Sequence, residues 1–187
     1  MLANLHGETT PHDDGKKTNG GCMTSYQVEI AAESLVASLL SQAGYDVSVQ
    51  YGTNQPGYDL VAVKPGRKLL VSVKGTQEAG WIFSAGFLTK GKGGTDKYHK
   101  AADAWLQKHG PDLVFAYVQF LGVTIGQMPE VYVARAHEVA AHVRTGKRGT
   151  GDTTLRWKHT WKSGMAEGIT DTVPENWTFT QKRIDTV

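Results

Sequence analysis

The first patterned segment of the chain carries apolar residues at helical spacing. After Thr24 and Ser25, apolar side chains recur mostly three or four positions apart, at Val28, Ala32, Leu35, Val36, Leu39 and Leu40. This spacing places them on one face of an α-helix, where they can pack against a core. Thr24 or Ser25 can cap the start of the helix, and Gly44 can end it. The pattern predicts an amphipathic helix between Ser25 and Gly44.

A hairpin pattern follows in the segment from Gly57 to Lys74. Two runs rich in β-branched apolar residues, 57–63 and 69–74, flank the charged sequence Lys-Pro-Gly-Arg-Lys at 64–68. Apolar runs of this length on either side of a Pro-Gly turn are typical of two antiparallel strands. We therefore expect two neighbouring strands here.

The remainder of the chain alternates between strand and helix patterns. Apolar runs predict further strands at 45–51, 81–83, 113–123 and 130–134, and helical spacing predicts helices at 96–109 and 136–144. From residue 147 onward the pattern weakens, and we expect loops. This order of elements predicts a mixed α/β domain with a central sheet.

Length and composition are those of one globular domain. The chain has 187 residues, of which 40% are apolar, and a net charge of +2. Because residues 5–22 hold almost nothing to bury, we expect a disordered tail at 1–22 and a single domain at 23–187. The single cysteine, Cys22, excludes a disulfide framework and a multi-cysteine metal site.

The chain also carries no targeting signal that we can identify. No apolar run approaches the roughly 20 residues that a membrane-spanning helix needs. The N-terminus lacks the apolar core of a secretion signal. We therefore expect a cytoplasmic protein with no membrane partner.

Two ionisable residues stand at the ends of the predicted hairpin strands. Asp59 opens the first strand and Lys74 closes the second. Ionised groups are rarely embedded in apolar strands without a partner or a task. On neighbouring strands, an Asp and a Lys can place a divalent cation and an ammonium group around one phosphate. The alternative is a structural ion pair, which is the commoner use of such charges.

The hairpin resembles the core motif of the PD-(D/E)XK nuclease superfamily. The resemblance rests on Gly-Tyr-Asp-Leu-Val at 57–61, followed by Val-Ser-Val-Lys-Gly-Thr at 71–76. Trp81 and the segment 129–133 are similar to small uncharacterised bacterial members. The resemblance covers roughly residues 25–135 and implies a restriction-endonuclease-like fold, a three-layer core with a central mixed sheet flanked by helices.

The first predicted helix fits the same resemblance. Holliday-junction resolvases and related members carry a helical Glu ahead of a Gly-aromatic pair. Glu33 lies eleven residues before Gly44-Tyr45, which is similar to that spacing. Glu29 lies one turn earlier on the same helix face and is the reserve candidate.

The resemblance also implies roles for individual residues. In such sites the first Asp, a second acid and the carbonyl of the residue between that acid and the Lys bind Mg²⁺, while the Lys orients or activates the attacking water. On this chain those roles would fall to Asp59, Ser72, the Val73 carbonyl and Lys74. Ser72 departs from the pattern because it supplies no negative charge, so Glu33 would have to provide it.

Polar residues around the motif are candidates for substrate contacts. Gln77 could orient the same water or bind a backbone phosphate, and its alternative role is a loop amide bonded to backbone. A group of lysines could contact a phosphate backbone, or belong to an ordinary solvated loop. Its members are Lys90, Lys92, Lys97 and Lys100.

These features together predict a nuclease that uses Mg²⁺ or Mn²⁺ to hydrolyse phosphodiester bonds in DNA. The alternative, which Ser72 favours, is a catalytically inactive member that binds DNA or a protein partner, for instance in a defence or toxin-immunity role. DNA is the expected partner. A homodimer stays open, because many members of the superfamily cut duplexes as dimers.

Overall fold

A computed structural model describes residues 23–50, 57–89 and 96–187. The predicted tail at 1–22 and the lysines Lys90 and Lys92 therefore lie outside the described residues. Within the described ranges, no helix is both long enough and apolar enough to cross a membrane.

As far as α3, the described residues form helices and strands in the predicted order. The helices are α1 (Ser25–Gln42), α2 (Asp96–His109), α3 (Ala136–Thr145) and α4 (Gln181–Ile184). The strands are β1 (Asp46–Val49), β2 (Leu60–Lys64), β3 (Arg67–Thr76), β4 (Gly80–Ile82), β5 (Val114–Gln119), β6 (Glu130–Arg135), β7 (Thr154–Arg156), β8 (Lys158–Thr160) and β9 (Thr170–Thr172). Short 3-10 helices lie at Ala85–Phe87 and Glu175–Trp177.

Five strands make a mixed sheet in the order β1-β2-β3-β5-β6. The predicted hairpin is confirmed, since β2 and β3 pair antiparallel around a turn in which Gly66 has φ 76°. β3 and β5 are parallel, and the other neighbours in the sheet are antiparallel. A parallel pair needs a long crossover connection, which contains α2. The predicted mixed α/β class is confirmed.

The two faces of the sheet are covered by different helices. Val36 and Leu40 of α1 are buried against Val71 of β3 on one face. Trp105 of α2 and Phe115 of β5 lie in a separate cluster that also contains α3. Because strand side chains alternate between faces, the two clusters lie on opposite sides of the sheet. Burial of each such side chain contributes about 1.5–3 kcal/mol.

The strand predicted at 113–123 is wrong at its end, because β5 stops at Gln119. The chain turns there, with the Val123 N–H donating to the Phe120 carbonyl at 3.0 Å. Gly122 and Gly126 have φ values of 76° and 88°, which strand residues do not adopt. Apolar side chains thus continue past the point where the backbone has left the sheet.

The prediction of loops after residue 147 is only partly correct, because three short strands also lie there. β7 pairs with β4, and β8 and β9 form a hairpin. Each of these strands has three residues. Such short strands present too few positions for an alternating pattern to show in the sequence.

The C-terminal segment covers the β6 edge of the sheet. The Phe179 N–H donates to the Val131 carbonyl at 2.8 Å, and Arg183 Nε donates to the Val133 carbonyl at 2.9 Å. At the hairpin, Lys64 Nζ lies 2.7 Å from Asp185 Oδ1. The first two contacts occupy carbonyls that an exposed edge strand would leave unpaired.

Candidate active site

The candidate site lies where β2 separates from β3. Their pairing ends at Leu60 opposite Val71, and the Asp59 N–H donates to the Val71 carbonyl at 2.9 Å. Beyond Val71, β3 continues to Thr76 with β5 on its other side. Because the N–H and C=O of one strand residue point to the same side, both groups of Val73 face the space that β2 has left.

The Asp59 carboxylate enters that space and takes the place of a strand partner. Its Oδ2 accepts the Val73 N–H at 2.6 Å and the Ser72 hydroxyl at 3.2 Å. Lys74 Nζ lies 3.7 Å from the same oxygen. The Asp59 side chain is 19% exposed and that of Lys74 is 50% exposed. The structure therefore brings Asp59, Ser72, Val73 and Lys74 together, with the ammonium group on the solvent side.

Helix α1 approaches this end of β3 closely because residue 75 is a glycine. A Cβ built on Gly75 would lie 2.8 Å from Val28 Cγ1 and 3.0 Å from Ala32 Cβ. Contacts shorter than 3 Å cannot be accommodated without a shift of the helix or the strand. Gly75 thus sets the distance between β3 and the helix that carries the candidate acids.

Glu33 is half-buried and lies within the field of the same charges. Burial raises the pKa of the Glu33 carboxyl, the negative charges of Asp59 and Glu29 raise it further, and Lys74 lowers it. Glu29 is exposed and lines a cleft of about 550 Å³ together with Lys74 and Gln77. Both helical candidates from the sequence therefore lie near the Asp59–Lys74 pair, and Glu33 is the more enclosed.

Gln77 has a structural task in this cleft. Its Nε2 donates to the Met23 carbonyl at 2.7 Å, and its Oε1 accepts the Met23 N–H at 3.0 Å. Both ends of the amide are thus bonded to the backbone just before α1. This is the alternative role considered for Gln77, and it helps to hold the start of α1 against β3.

A second cleft has a volume of about 520 Å³. Gly57 and Tyr58 form part of its lining, directly ahead of Asp59. Its basic residues are Lys68, Lys108, His109 and Arg135. Asp112, on the same lining, forms an ion pair of 3.2 Å with one of them, Arg135. The lining carries more positive than negative charge and can receive an anionic group.

His109 is a residue that the sequence did not single out. Burial lowers the pKa of its imidazole, and the charges of Lys108 and Lys74 lower it further. A Cβ on Gly57 would lie 3.9 Å from His109 Nδ1, so the two residues are near neighbours. The effect of Lys74 shows that His109 lies close to the candidate site. A histidine at the end of a helix gave no signal of this proximity.

Of the predicted lysine group, the two described members, Lys97 and Lys100, lie at the start of α2, away from Asp59. Lys97 lies over the ring of Tyr98, with Nζ 5.0 Å from the ring centroid. Lys100 pairs with Asp96 at 2.5 Å. Both belong to the first turns of α2, whereas His109 ends that helix.

The oxygen atoms at the site are of the kind that Mg²⁺ or Mn²⁺ requires. Asp59 and Glu33 supply carboxylates, Val73 supplies a carbonyl directed into the gap, and Mg²⁺ completes its shell with water. Burial and the negative charges of Asp59 and Glu29 raise the pKa of the Glu33 carboxyl, and a bound cation would lower it. Ser72 donates its hydroxyl to Asp59, so it positions that carboxylate. Carboxylates and a carbonyl are the donor types that such a cation accepts.

The site is nevertheless poor in acidic groups. Over the ranges that the structure describes, no group of three or more His, Cys, Asp or Glu side chains is arranged to hold a metal ion. An acid at position 72 would add a carboxylate next to Asp59, which the Ser72 hydroxyl contacts instead. No family model matches the chain, and no curated protein matches it in sequence.

Proposed function

We propose that this protein is a metal-dependent nuclease with a restriction-endonuclease-like fold that hydrolyses phosphodiester bonds in DNA. One observation carries the proposal: the Asp59 carboxylate lies in the gap between β2 and β3, bonded to the Val73 N–H and facing Lys74. The order of helix, antiparallel hairpin, crossover helix and parallel strand supports the same fold.

Each residue of the site has a task in this chemistry. A divalent cation, when bound, supplies positive charge to the phosphoryl oxygens and acidifies water. Asp59, Glu33 and the Val73 carbonyl would hold it. The half-exposed Lys74 can donate hydrogen bonds to a phosphoryl oxygen or orient a water molecule. Ser72 fixes the orientation of Asp59 through its hydroxyl.

The second cleft can bind the phosphates on either side of the phosphate that is cleaved. Lys68, Lys108 and Arg135 place cationic groups next to Gly57 and Tyr58, one residue before Asp59. Neutralising phosphates releases counterions, so binding driven by these residues should weaken steeply as salt rises. We propose that DNA is the substrate and that it contacts both the Asp59 site and the second cleft.

A second candidate function is binding without catalysis. The favouring observation is that Asp59 Oδ2 already receives a backbone N–H, a hydroxyl and an ammonium group. A carboxylate with these three partners is stable without a bound metal ion. A descendant of the fold that had lost its metal would keep such a self-contained ion pair.

The two candidates are separated by a cleavage assay with a matched control. Supercoiled and branched DNA are incubated with the protein and Mg²⁺ or Mn²⁺, with EDTA as a blank. We expect the wild-type protein to nick DNA and Lys74→Ala to lose this activity. Lys64→Ala removes the other Lys–Asp pair of this hairpin, Lys64–Asp185, and should keep the nicking activity. DNA binding without cleavage by the wild-type protein would establish the second candidate instead.

A further inference from the structure

A second cationic region lies at the other end of α2 from His109. Lys147 Nζ lies 4.4 Å from the ring centroid of Trp161 and 5.7 Å from that of Tyr98. Lys97 lies over Tyr98 at 5.0 Å, and the guanidinium of Arg156 lies 5.1 Å from the Trp161 ring. Cations with aromatic partners therefore gather between α2, the turn after α3 and the β8–β9 hairpin.

Carboxylates do not balance all of these cations. Across the described part of the chain, no carboxylate lies within 4.0 Å of the side-chain nitrogens of Lys97, Lys147 or Arg148. The nearby Asp171 instead accepts the backbone N–H of Lys147 at 3.0 Å and Trp161 Nε1 at 2.6 Å. We call Lys97, Lys147 and Arg148 the far cluster. It combines positive charge with fixed loop geometry.

The turn that carries the far cluster is held in an unfavourable backbone conformation. Lys147 and Arg148 have φ values of 53° and 56°, in the left-handed region that glycine adopts freely and other residues rarely adopt. Hydrogen bonds from Gly151 to Gly146 and from His99 to the Gly149 carbonyl keep the turn in place. Two cations thus occupy positions where glycine would be less strained, which is a pattern found at functional sites.

Helix geometry connects the far cluster to the second cleft. Lys97 and Lys108 are eleven residues apart in α2. At about 100° and 1.5 Å per residue, they lie about 20° apart around the helix and about 17 Å apart along its axis. Lys108 lines the second cleft beside His109.

We propose that the far cluster binds the phosphodiester backbone of a nucleic acid whose scissile bond lies at Asp59. The position relative to the scissile bond rests on the proposed function. Phosphate binding by Lys97, Lys147 and Arg148 does not, because it needs neither the cation nor cleavage. The nucleic acid would follow one side of α2 from the second cleft to the far cluster.

The test measures DNA binding in EDTA, where cleavage plays no part. Fluorescence anisotropy with a labelled 20-base-pair duplex gives the dissociation constant as a function of KCl. We expect Lys147→Gly/Arg148→Gly to reduce the slope of log K against log salt by up to about 1.8, that is about 0.9 per lost contact. Lys64→Gln/Lys182→Gln removes the same charge elsewhere and should leave the slope unchanged.

Thermal unfolding of the same proteins separates binding from a structural role. Glycine relieves the left-handed strain, so the glycine variant should not have a lower Tm than the wild-type protein. A second variant, Lys147→Gln/Arg148→Gln, removes the charges and keeps the strained backbone, and it should show the same loss of slope. A lower Tm with an unchanged slope would show that the two residues only stabilise the fold.

The outcomes distinguish this inference from the proposed function. Suppose that the wild-type protein cleaves DNA and that the salt slope is unchanged in both variants. The proposal that the far cluster binds DNA would then be wrong, and the proposed nuclease function would stand. DNA binding that depends on the far cluster, without cleavage, would support the cluster and overturn the nuclease. A wild-type protein that binds no DNA at low salt would overturn the far cluster and favour a protein partner for this surface.

Discussion

The cationic groups near the two ends of α2 differ in their partners. Near His109, Lys74 faces the Asp59 carboxylate, and Glu33 adds further negative charge. At the far cluster, Lys147 faces aromatic rings and lies in the described structure without a paired carboxylate. The carboxylates of Asp59 and Glu33 can attract a cation, whereas cations without a paired carboxylate attract an anion. The comparison separates a place for chemistry from a place for holding a polyanion.

The two regions also differ in how they are built. The Asp59 site is formed by strands of the main sheet, where Val71 and Val73 are buried under α1. The far cluster lies on a turn fixed by a few hydrogen bonds beside a small hairpin. Substitutions at the Asp59 site should therefore affect both folding stability and the rate of DNA cleavage. Substitutions in the far cluster should affect mainly the affinity for DNA and its salt dependence.

The largest effect on stability is expected from a carboxylate at position 72. Ser72 is 3% exposed and donates to Asp59, so Ser72→Glu would bury a second negative charge beside the first. An uncompensated buried charge costs about 3–5 kcal/mol, or roughly 6–20 °C in Tm. Mg²⁺ or Mn²⁺ should recover much of this loss by supplying a counter-charge. Calorimetry with and without the metal measures both effects.

Ser72→Ala is the matched control for that experiment. It removes one hydrogen bond without adding charge, and should cost about 1 kcal/mol with or without metal. A Ser72→Glu protein that is equally unstable with and without cation, and binds none, would show that the cleft is not a metal site. The far cluster should keep its salt slope in both variants.

A smaller effect is expected from Gly75→Ala. The added Cβ would meet Val28 and Ala32 at 2.8–3.0 Å and push α1, with Glu33, away from β3. Overpacking of this kind costs about 1–3 kcal/mol, or roughly 2–12 °C in Tm. Cleavage should fall as well, because the helical acid moves.

Gly86→Ala provides the matched control for the Gly75 substitution. A Cβ on Gly86 meets nothing within 4 Å among the described atoms, so that variant should keep the wild-type Tm and activity. Equal behaviour of the two variants would mean that the contact between α1 and β3 does not set the geometry of the cleft.

The sequence predicted what short-range patterns can specify. The hairpin brings Asp59 and Lys74 together within sixteen residues, so local pairing alone accounts for their contact. The long periodic helices α1 and α2 were predicted for the same reason. His109 and Lys147 acquire their neighbours through the crossover and the C-terminal hairpins, and no local pattern marks contacts of that kind. The close approach at Gly75 likewise depends on packing between distant segments.

The smallest effect is expected from Glu33→Gln, and it depends on pH. Because the pKa of Glu33 is raised above its ordinary value of 4.5, the folded protein binds this proton more tightly than the unfolded chain does. The stabilisation is present below pH 4.5 and is lost as the pH rises through the folded pKa. Glutamine is never ionised, so Glu33→Gln should raise Tm at pH 7 by at most about 2 °C, given screening at a half-exposed site. This advantage should vanish near pH 4.

Divalent cations provide a further condition for the same measurement. A cation beside Asp59 and Glu33 would favour the ionised Glu33, so Mg²⁺ or Mn²⁺ should reduce the advantage of Glu33→Gln at pH 7. Glu29→Gln, on the exposed residue one turn earlier, should change Tm less under every condition. Melting curves between pH 4 and 8, with and without the metal, give the comparison. One outcome would contradict this prediction: a Glu33→Gln protein that is less stable than the wild-type protein at pH 7 without metal. The ionised carboxylate would then stabilise the fold through a contact of its own, and the negative field assigned to the cleft would be wrong.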